Sequence, residues 1–256
     1  MTVTRRASML ASLGFVVAGC GGGDSGTPMA GTVQTLGIAG NGTAYPLYIY
    51  LPPGSDTTRA TLPVVYLLDG ESRFQTLVGI AEDTHTRVMI VGIGNEAMRS
   101  RDYVPPNICT SGGGGEAAFL NFIRLELIPY IEANVGGDPL RRSLLGHSHG
   151  GSFVLYALFT EAPASRRFSA YLASDASIDC MSSTVYGWES DYAAANTALA
   201  VRLHVSYGAN GANAAFGQQI QGRHYAGLTL AVQSYGGGHI GMIPAAFSDA
   251  LAFALA

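Results

Sequence analysis

Apolar residues along the chain follow patterns that predict strands and helices in turn. From Thr32 the pattern indicates strand, turn and strand, and AYPLYIYLPPG (residues 44–54) alternates before it stops at Pro-Pro-Gly. This segment fits an early strand, for which an edge position in the sheet is one option. LPVVYLLDGE (62–71) and TRVMIVGIGN (86–95) are continuous apolar runs, typical of strands that are covered on both faces.

The rest of the chain alternates between helical and extended periods. Residues 115–136 carry apolar side chains on one helical face, and RRSLLGHSHGG predicts a strand that runs into a turn and the helix SFVLYALFTEAP. Further strands are predicted for FSAYLAS, VRLHVSYG and LTLAVQSYGGG, and further helices for AAFGQQIQGRHYA and IPAAFSDALAFALA. This alternation predicts one α/β domain over residues 32–256, with a mostly parallel sheet and helices on both faces.

The composition supports a folded domain and excludes one class of partner. Of the 256 residues, 48% are hydrophobic and 12% are charged, so the chain can bury a sizeable core. The formal net charge is -4. A nucleic-acid-binding surface needs a basic face, so we expect no nucleic-acid partner.

The first twenty residues have the three parts of an export signal. TRRA (residues 4–7) supplies positive charge, an apolar run follows, and VAGC (17–20) resembles a bacterial lipobox. The apolar run is shorter than the roughly 20 residues that span a bilayer. In a lipobox the cysteine is lipidated and becomes the new N-terminus, which would be Cys20. A secreted protein that is cut nearby without a lipid is the alternative.

Residues 21–31, rich in glycine, then predict a flexible tether. We therefore expect an exported protein of the bacterial cell envelope, lipid-anchored and facing the periplasm. Its membrane contact would be through the N-terminal lipid alone. The general secretory and twin-arginine export routes both stay open.

With Cys20 assigned to the lipid, two cysteines remain. Cys109 and Cys180 would lie in an oxidising compartment, where disulfides persist, and we expect them to bond to each other. Two separate buried thiols are the alternative. Neither cysteine shows metal-ligand spacing.

GHSHG (residues 146–150) fits the pattern G-x-S-x-G between a predicted strand and a predicted helix. That is the setting of a nucleophile elbow, a sharp strand-to-helix turn that raises a serine. The turn strains the serine backbone and crowds its neighbours, so Gly146, Gly150 and Gly151 would avoid clashes. We predict Ser148 as a nucleophile, with a plain glycine-rich turn as the alternative.

The histidines beside the serine are poor candidates for its base. At a tight elbow the serine side chain projects alone, so His147 and His149 should point elsewhere, whereas a base must come within roughly 2.6–3.2 Å of the oxygen. His239 follows the last predicted strand, and the glycines before it let the loop bend towards the elbow. The order serine then histidine is that of α/β hydrolases. We therefore predict His239 as the base.

Two backbone groups should bind the oxyanion of the reaction. The N–H of His149, at the start of a helix, is one predicted donor. The second should come from the loop after VVYLLDG, through the N–H of Gly70 or Glu71, although the sequence has no HGGG motif there.

Together these segments resemble the “Putative esterase” family of α/β hydrolases. That family includes enterochelin (siderophore) esterases, feruloyl esterases, S-formylglutathione hydrolases and mycolyltransferases. The matching segments follow the family's order over nearly the whole mature chain: PVVYLLDGE, VGIGN, RSRDYVPP, FLNFIRLELIPYIE, LLGHSHGGSFVLYALF and FSAYLASDAS. The resemblance implies an α/β-hydrolase fold and ester hydrolysis through an acyl-serine, with no metal and no cofactor. It does not select the substrate.

The chain departs from this family at the third member of the catalytic triad. The family's acid follows the strand that here reads RLHVSYG, yet no acidic residue occurs between that strand and the last predicted helix. Asp175, after FSAYLAS, could reach the histidine from the neighbouring strand end, and capping the next helix is its alternative use. Asn210 or Asn213 could orient the imidazole without charge, and Asp179 is a further candidate. We favour Asp175, because replacing a triad Asp by Asn costs serine proteases roughly 10⁴ in turnover.

These residues predict a serine carboxylesterase that acts on a small-molecule ester. Ser148 would attack the carbonyl, and His239 would take its proton and pass it to the leaving alkoxide. An acyltransferase has the same catalytic parts and differs only in the acceptor of the acyl group. A third possibility, suggested by the missing acid, is a catalytically impaired binding protein on a hydrolase scaffold.

Overall fold

The computed structural model describes the backbone of residues 32–40 and the whole chain over residues 43–209 and 211–256. The predicted export signal, the tether and the lipidation site Cys20 lie outside the described residues, and so does Asn210. Within the described ranges, no helix is both long and apolar enough to cross a membrane.

A single eight-stranded sheet forms the centre of the domain. In chain order its strands are β1 (Thr32–Gly40), β2 (Thr43–Leu51), β3 (Val64–Leu67), β4 (Met89–Ile93), β5 (Arg142–His147), β6 (Ala170–Ser174), β7 (Arg202–Tyr207) and β8 (Thr229–Ser234). Their order across the sheet is β1-β2-β4-β3-β5-β6-β7-β8. The pairs β1–β2 and β2–β4 are antiparallel, and the five other neighbouring pairs are parallel. The predicted mostly parallel sheet is therefore confirmed.

The strand predicted from residues 44–54 does not lie at the sheet edge. It forms β2, which is hydrogen-bonded on both sides because the preceding strand β1 pairs outside it. The continuous apolar runs behave as expected, since every residue of β3, β4, β5 and β6 is buried. A strand that is covered on both faces has no polar side to alternate with.

Helices pack on both faces of the sheet, as predicted. They are α1 (Gly70–Asp83), α2 (Arg99–Tyr103), α3 (Glu116–Phe122), α4 (Ile128–Asn134), α5 (His149–Thr160), α6 (Ile178–Ala195), α7 (Gly211–Arg223), α8 (Gly238–Gly241) and α9 (Ile243–Leu255). A π-helical turn, Ile123–Leu127, joins α3 to α4, so the helix predicted over residues 115–136 is continuous. The core on one face includes Phe74 of α1 and Phe247 of α9, and the core on the other includes Phe122, Phe153 and Phe216.

The register of the parallel strands brings their carboxyl ends to one edge of the sheet. His147 of β5 pairs with Ser174 of β6, and Ser174 pairs with Ser206 of β7. The residues that follow these strands therefore emerge side by side. The predicted catalytic side chains therefore lie at this common edge, where open parallel α/β sheets generally have their sites.

One disulfide ties a long loop to the start of a helix. The sulfurs of Cys109 and Cys180 are bonded, which is the pairing that the sequence predicts. Cys109 lies in the loop between α2 and α3, and Cys180 lies in the first turn of α6. The bond spans 71 positions of the chain.

Removing this disulfide should lower the free energy of unfolding. A cross-link over so long a loop restricts the unfolded chain, and the double variant Cys109→Ser/Cys180→Ser should lose about 2–4 kcal/mol. Urea unfolding of the variant and the wild type, each with and without dithiothreitol, measures the effect. Dithiothreitol should shift the midpoint of the wild type and leave that of the variant unchanged. An unchanged wild-type midpoint under complete reduction would contradict the expectation.

Candidate active site

Ser148 lies on a sharp turn between β5 and α5. Its backbone has φ 61° and ψ -124°, a conformation that residues with a side chain rarely adopt. The turn is held by two backbone bonds: the Ser148 N–H donates to the Ser174 carbonyl at 2.9 Å, and the Ser148 carbonyl accepts from Ser152 N–H at 3.0 Å. The serine is thus presented at the carboxyl edge of the sheet in the geometry of a nucleophile elbow.

Two of the three glycines around the elbow are required by space. A Cβ on Gly146 would overlap the backbone carbonyl of Gly150, and one on Gly151 would lie 2.9 Å from the Ser174 carbonyl oxygen. Gly150 differs, because a Cβ there would meet Asp69 Oδ2 at 3.4 Å, which is close to ordinary contact. The expectation that all three avoid clashes is therefore wrong for Gly150.

His239 and Asp175 form a hydrogen-bonded pair beside this turn. His239 lies in α8, directly after β8, and Asp175 directly follows β6. The His239 Nδ1–H donates to Asp175 Oδ2 at 2.6 Å. The Asp175 side chain is buried, whereas half of the His239 side-chain surface is exposed. The structure thus brings together a serine, a histidine and a carboxylate that are far apart in the chain.

Backbone groups of β7 and the residue after it hold Asp175 in place. Asp175 has a positive φ of 39°, and its N–H donates to the Ser206 carbonyl at 2.7 Å. Its Oδ1 accepts the N–H of Gly208 at 3.3 Å. A Cβ on Gly208 would lie 3.1 Å from the backbone carbon of Gly238, so the histidine loop leaves little space for a side chain at this position. The end of β7, where the family's acid is expected, therefore supplies the backbone N–H that orients Asp175 at the end of β6.

The other candidates for the acid have different surroundings. Asn213 is fully buried in α7, where its Nδ2 donates to the carbonyl of Ala176 at 2.8 Å and supports the turn after Asp175. Asp179 is exposed in the first turn of α6. In the described part of the chain, neither of them pairs with His239.

Among the described residues, neither histidine beside the serine makes a hydrogen bond to its hydroxyl. His147 is buried and its Nδ1 lies 3.1 Å from Ser174 Oγ. Its ring packs against the ring of His239, with the centroids 4.5 Å apart. Burial lowers the pKa of His147 to about 3, and the nearby His239 acts in the same direction. Burial also lowers the pKa of the half-buried His149.

The Ser148 hydroxyl has a partner that the sequence did not reveal. Its Oγ lies 3.4 Å from the Oγ of Ser177, the residue before α6. Among the described residues, Ser148 makes no hydrogen bond to His239. Catalytic hydrogen bonds in enzymes without substrate are commonly long and tighten only in the reacting complex. A pairing of two serines 29 residues apart leaves no pattern in the sequence from which it could be found.

The predicted oxyanion donors lie at the first turns of two helices. His149 begins α5, and Gly70 and Glu71 begin α1. The first N–H groups of a helix have no acceptor within the helix, so they are available to a bound anion. The preceding residue, Asp69, directs its N–H to the hydroxyl of Tyr103 at 3.3 Å. That N–H is therefore engaged, which leaves the next two as the candidates.

Arg99 pairs with Asp69, the residue immediately before these candidate donors. Its Nε and a terminal nitrogen each lie 3.3 Å from the carboxylate of Asp69. Asp69 is buried and has a positive φ of 53°. Burial raises the pKa of the Asp69 carboxyl, and the Arg99 charge opposes that shift. The ion pair therefore holds a strained loop in place immediately before the two N–H groups.

A cavity of about 670 Å³ lies elsewhere on the domain. Its lining includes Arg142, Ser169 and Val201, which lie at or just before the amino ends of β5, β6 and β7. In parallel strands this is the edge opposite Ser148. The cavity is therefore separate from the serine, histidine and aspartate.

Comparison with known proteins identifies the family. The family model described as “Putative esterase” matches residues 39–216. The chain belongs to this esterase family. The resemblance inferred from the sequence motifs is thus confirmed.

Relatives in this family carry related names. A siderophore triacetylfusarinine C esterase from Aspergillus fumigatus is 36% identical over 138 residues, which cover 48% of this chain and 46% of that protein. The ferri-bacillibactin esterase BesA from Bacillus subtilis is 30% identical over 184 residues, or 62% of each chain. The chain thus matches about half to three fifths of the length of these relatives.

Solved structures show the same fold over most of the chain. The siderophore hydrolase EstA from Aspergillus nidulans has a TM-score of 0.77 at 22% identity, covering 92% of this chain and 98% of that one. An IroE-like serine hydrolase from Shewanella oneidensis has a TM-score of 0.74 at 26% identity, covering 86% and 79%. The domain therefore has the α/β-hydrolase fold of these esterases, as the sequence predicts.

The elbow geometry predicts that Gly146 tolerates no side chain. Gly146→Ala should destabilise the fold by about 1–3 kcal/mol or more, because the new methyl group overlaps the Gly150 carbonyl in a packed turn. The matched control is Gly187→Ala, since Gly187 lies within α6 and a Cβ there meets nothing within 4 Å. That change should be neutral or stabilising by up to about 1 kcal/mol. Urea unfolding of both variants checks the contrast, and equal stabilities would contradict it.

Proposed function

We propose that the protein is a serine carboxylesterase that hydrolyses an ester through an acyl-serine intermediate. The observation that carries the proposal is the 2.6 Å hydrogen bond between His239 and Asp175, formed beside the strained turn at Ser148. Membership in the esterase family supports the reaction class. The structural similarity to an IroE-like serine hydrolase from Shewanella oneidensis supports the choice of nucleophile.

In the first step, Ser148 Oγ attacks the ester carbonyl carbon while His239 Nε2 takes the hydroxyl proton. Asp175 accepts the Nδ1–H of the same ring, so it fixes the tautomer and stabilises the imidazolium that forms. The carbonyl oxygen becomes an oxyanion. It is bound by the N–H of His149 and by the N–H of Gly70 or Glu71, and the adjacent helix starts favour its negative charge.

The tetrahedral intermediate then collapses and breaks the bond to the leaving alcohol. His239 returns its proton to that oxygen, so the alcohol leaves neutral and the acyl group stays on Ser148. A water molecule repeats the sequence in the second half: His239 takes its proton, the oxygen attacks the acyl carbon, and Ser148 is released with its proton restored. The products are one carboxylic acid and one alcohol, and no redox partner is needed.

We further propose siderophore esters as the substrate class to test first. The relative from Aspergillus fumigatus is a siderophore triacetylfusarinine C esterase, and the relative from Bacillus subtilis is a ferri-bacillibactin esterase. Whether the acyl group passes to water or to another alcohol depends on which acceptor reaches the acyl-serine. Adding a candidate alcohol and looking for a new ester distinguishes hydrolase from acyltransferase.

The carboxylate at Asp175 bears on the third possibility, a binding protein without activity. That possibility was suggested by the missing acid after β7. Asp175, at the end of the neighbouring strand β6, is buried, contacts the histidine and is oriented by Gly208 N–H, which supports it as the replacement for that acid. The proposal of an active enzyme is therefore the one that accounts for the geometry.

We also propose that the protein is exported and anchored by a lipid on Cys20. The disulfide between Cys109 and Cys180 supports an oxidising compartment. Expressed in a bacterial host, the full chain should fractionate with membranes, and Cys20→Ser should release it or leave it uncleaved. The matched control, Cys109→Ser, alters a cysteine without touching the signal and should stay with the membranes. A wild-type chain whose intact mass shows no lipid on Cys20, or a cleaved Cys20→Ser variant that still fractionates with membranes as the wild type does, would refute the anchor.

The catalytic assignments can be tested with a p-nitrophenyl ester series and a fluorophosphonate probe. The wild type should hydrolyse the esters and gain one probe adduct, and Ser148→Ala should lose both. Asp175→Asn should lower kcat by roughly 10⁴, because the amide favours the wrong histidine tautomer. Steady-state kinetics and intact-mass spectrometry provide the readouts.

Asp179→Asn is the matched control for the acid, since Asp179 is an exposed carboxylate four positions further along the chain. It should keep nearly the wild-type kcat. If Asp175→Asn also keeps it, the acid assignment is wrong. If the folded wild type forms no adduct on Ser148, the serine mechanism itself fails.

A further inference from the structure

The mechanism above uses Ser148, His239 and Asp175 but leaves one buried histidine of the site without a role. His147 is the last residue of β5 and immediately precedes the nucleophile. Its residue surface is only 3% exposed, and its Nδ1 is anchored 3.1 Å from the Ser174 hydroxyl. A buried polar ring is costly unless it serves a purpose, because a hydrocarbon side chain would avoid its desolvation.

His147 makes its second contact with the proposed base. The ring centroids of His147 and His239 are 4.5 Å apart and their planes are inclined by 39°. This separation is at the close end of the range for favourable aromatic contacts. The contact links the elbow after β5 to the loop after β8, two segments that are separated by the ends of β6 and β7.

His239 needs such a contact because its own segment provides little rigidity. The helix α8 has only four residues, and Gly237 and Gly238 before the histidine both have positive φ values, 91° and 65°. Half of the His239 side-chain surface is exposed. The hydrogen bond to Asp175 fixes the Nδ1 corner of the imidazole, but a ring held at one corner can still tilt.

We infer that His147 is a positioning residue, which packs against the ring of His239 and holds the imidazole in the orientation that takes the Ser148 proton. This inference rests on the proposed function. Asp175 restrains the ring within its plane, and His147 restrains it from one face. Two restraints in different directions define the orientation of the base, which neither defines alone.

The chemistry of His147 suits this position in two ways. Burial lowers its pKa to about 3, so it stays neutral and does not repel the proton that His239 carries during the reaction. The Ser174 hydroxyl holds its ring in place through Nδ1, an anchor that a phenylalanine would lack. The inferred role requires a neutral, flat ring against the face of His239, and the Ser174 hydroxyl provides a partner for one polar atom of that buried ring.

Three substitutions at this position separate ring contact from hydrogen bonding. His147→Ala removes the ring and should lower kcat by roughly 10- to 100-fold with KM within about twofold, since small misplacements of a catalytic group cost up to about 10² in rate. His147→Phe keeps a flat ring against His239 and should stay within about threefold of the wild-type kcat. His147→Leu fills the volume without a flat face and should resemble the alanine variant.

A spectroscopic signature separates positioning from a general loss of structure. In an adduct of Ser148 with a trifluoromethyl ketone, the Nδ1–H proton of His239 should give a downfield NMR resonance from its hydrogen bond to Asp175. The resonance should persist in His147→Phe and broaden or vanish in His147→Ala and His147→Leu. Ser174→Ala is the matched control: it removes the hydrogen-bond partner of Nδ1, keeps the ring and should stay, like His147→Phe, within about threefold of the wild-type kcat. Thermal unfolding establishes that each variant is folded.

Two results would overturn the inference. One is a folded His147→Ala or His147→Leu variant with wild-type kcat and an unchanged resonance. The other is a folded His147→Phe as impaired as the alanine variant, which would assign the effect to the nitrogen atoms and not to the ring. Failure of the proposed function looks different, because the wild type itself would then form no adduct on Ser148.

Discussion

The hydrogen bond between Asp175 and His239 is the interaction on which the rest of the site depends. It joins the end of β6 to the loop after β8 and crosses over the end of β7 between them. Asp175 is held in place by the β7 region: its carboxylate accepts the N–H of Gly208, and its own N–H donates to the Ser206 carbonyl. Three neighbouring strand ends thus contribute to one contact, and the histidine that it holds packs against His147 of the elbow.

The elbow keeps Ser148 in a strained backbone conformation through the contacts of its neighbours. The positive φ of Ser148 is maintained by backbone bonds to Ser174 and Ser152 and by the close approach of Gly146 to Gly150. On the other side of the site, the Arg99–Asp69 ion pair stabilises a second left-handed residue before α1. The two strained residues, Asp69 and Ser148, immediately precede α1 and α5. Both helices therefore begin at the carboxyl edge of the sheet. Strain at functional sites persists when the surrounding structure determines it in this way.

Much of this architecture could be predicted from the sequence. The buried strands were visible as apolar runs, and the elbow as a glycine pattern between a strand and a helix. Asp175 was favoured as the acid because it follows a strand end and because no acidic residue lies between Arg202 and Ser248. Four helices, α1, α2, α6 and α8, were given no range from the sequence. Two of them, α2 and α8, have only five and four residues, and α6 mixes polar residues with a kink at Met181, so its apolar period is weak. The pairing of Ser148 with Ser177 and of His147 with His239 depends on tertiary contacts between distant segments, and neither leaves a periodic signal.

Gly208 sets an unusual requirement on the sequence directly after β7. Where a side chain would usually deliver the acid, this protein needs a backbone N–H and enough empty space for the Gly238 backbone to pass. Position 208 therefore favours glycine, which has no side chain. With Asp175 as the proposed acid, residues further along that loop have no catalytic role, so the loop can vary in composition while the neighbouring carboxylate keeps its geometry.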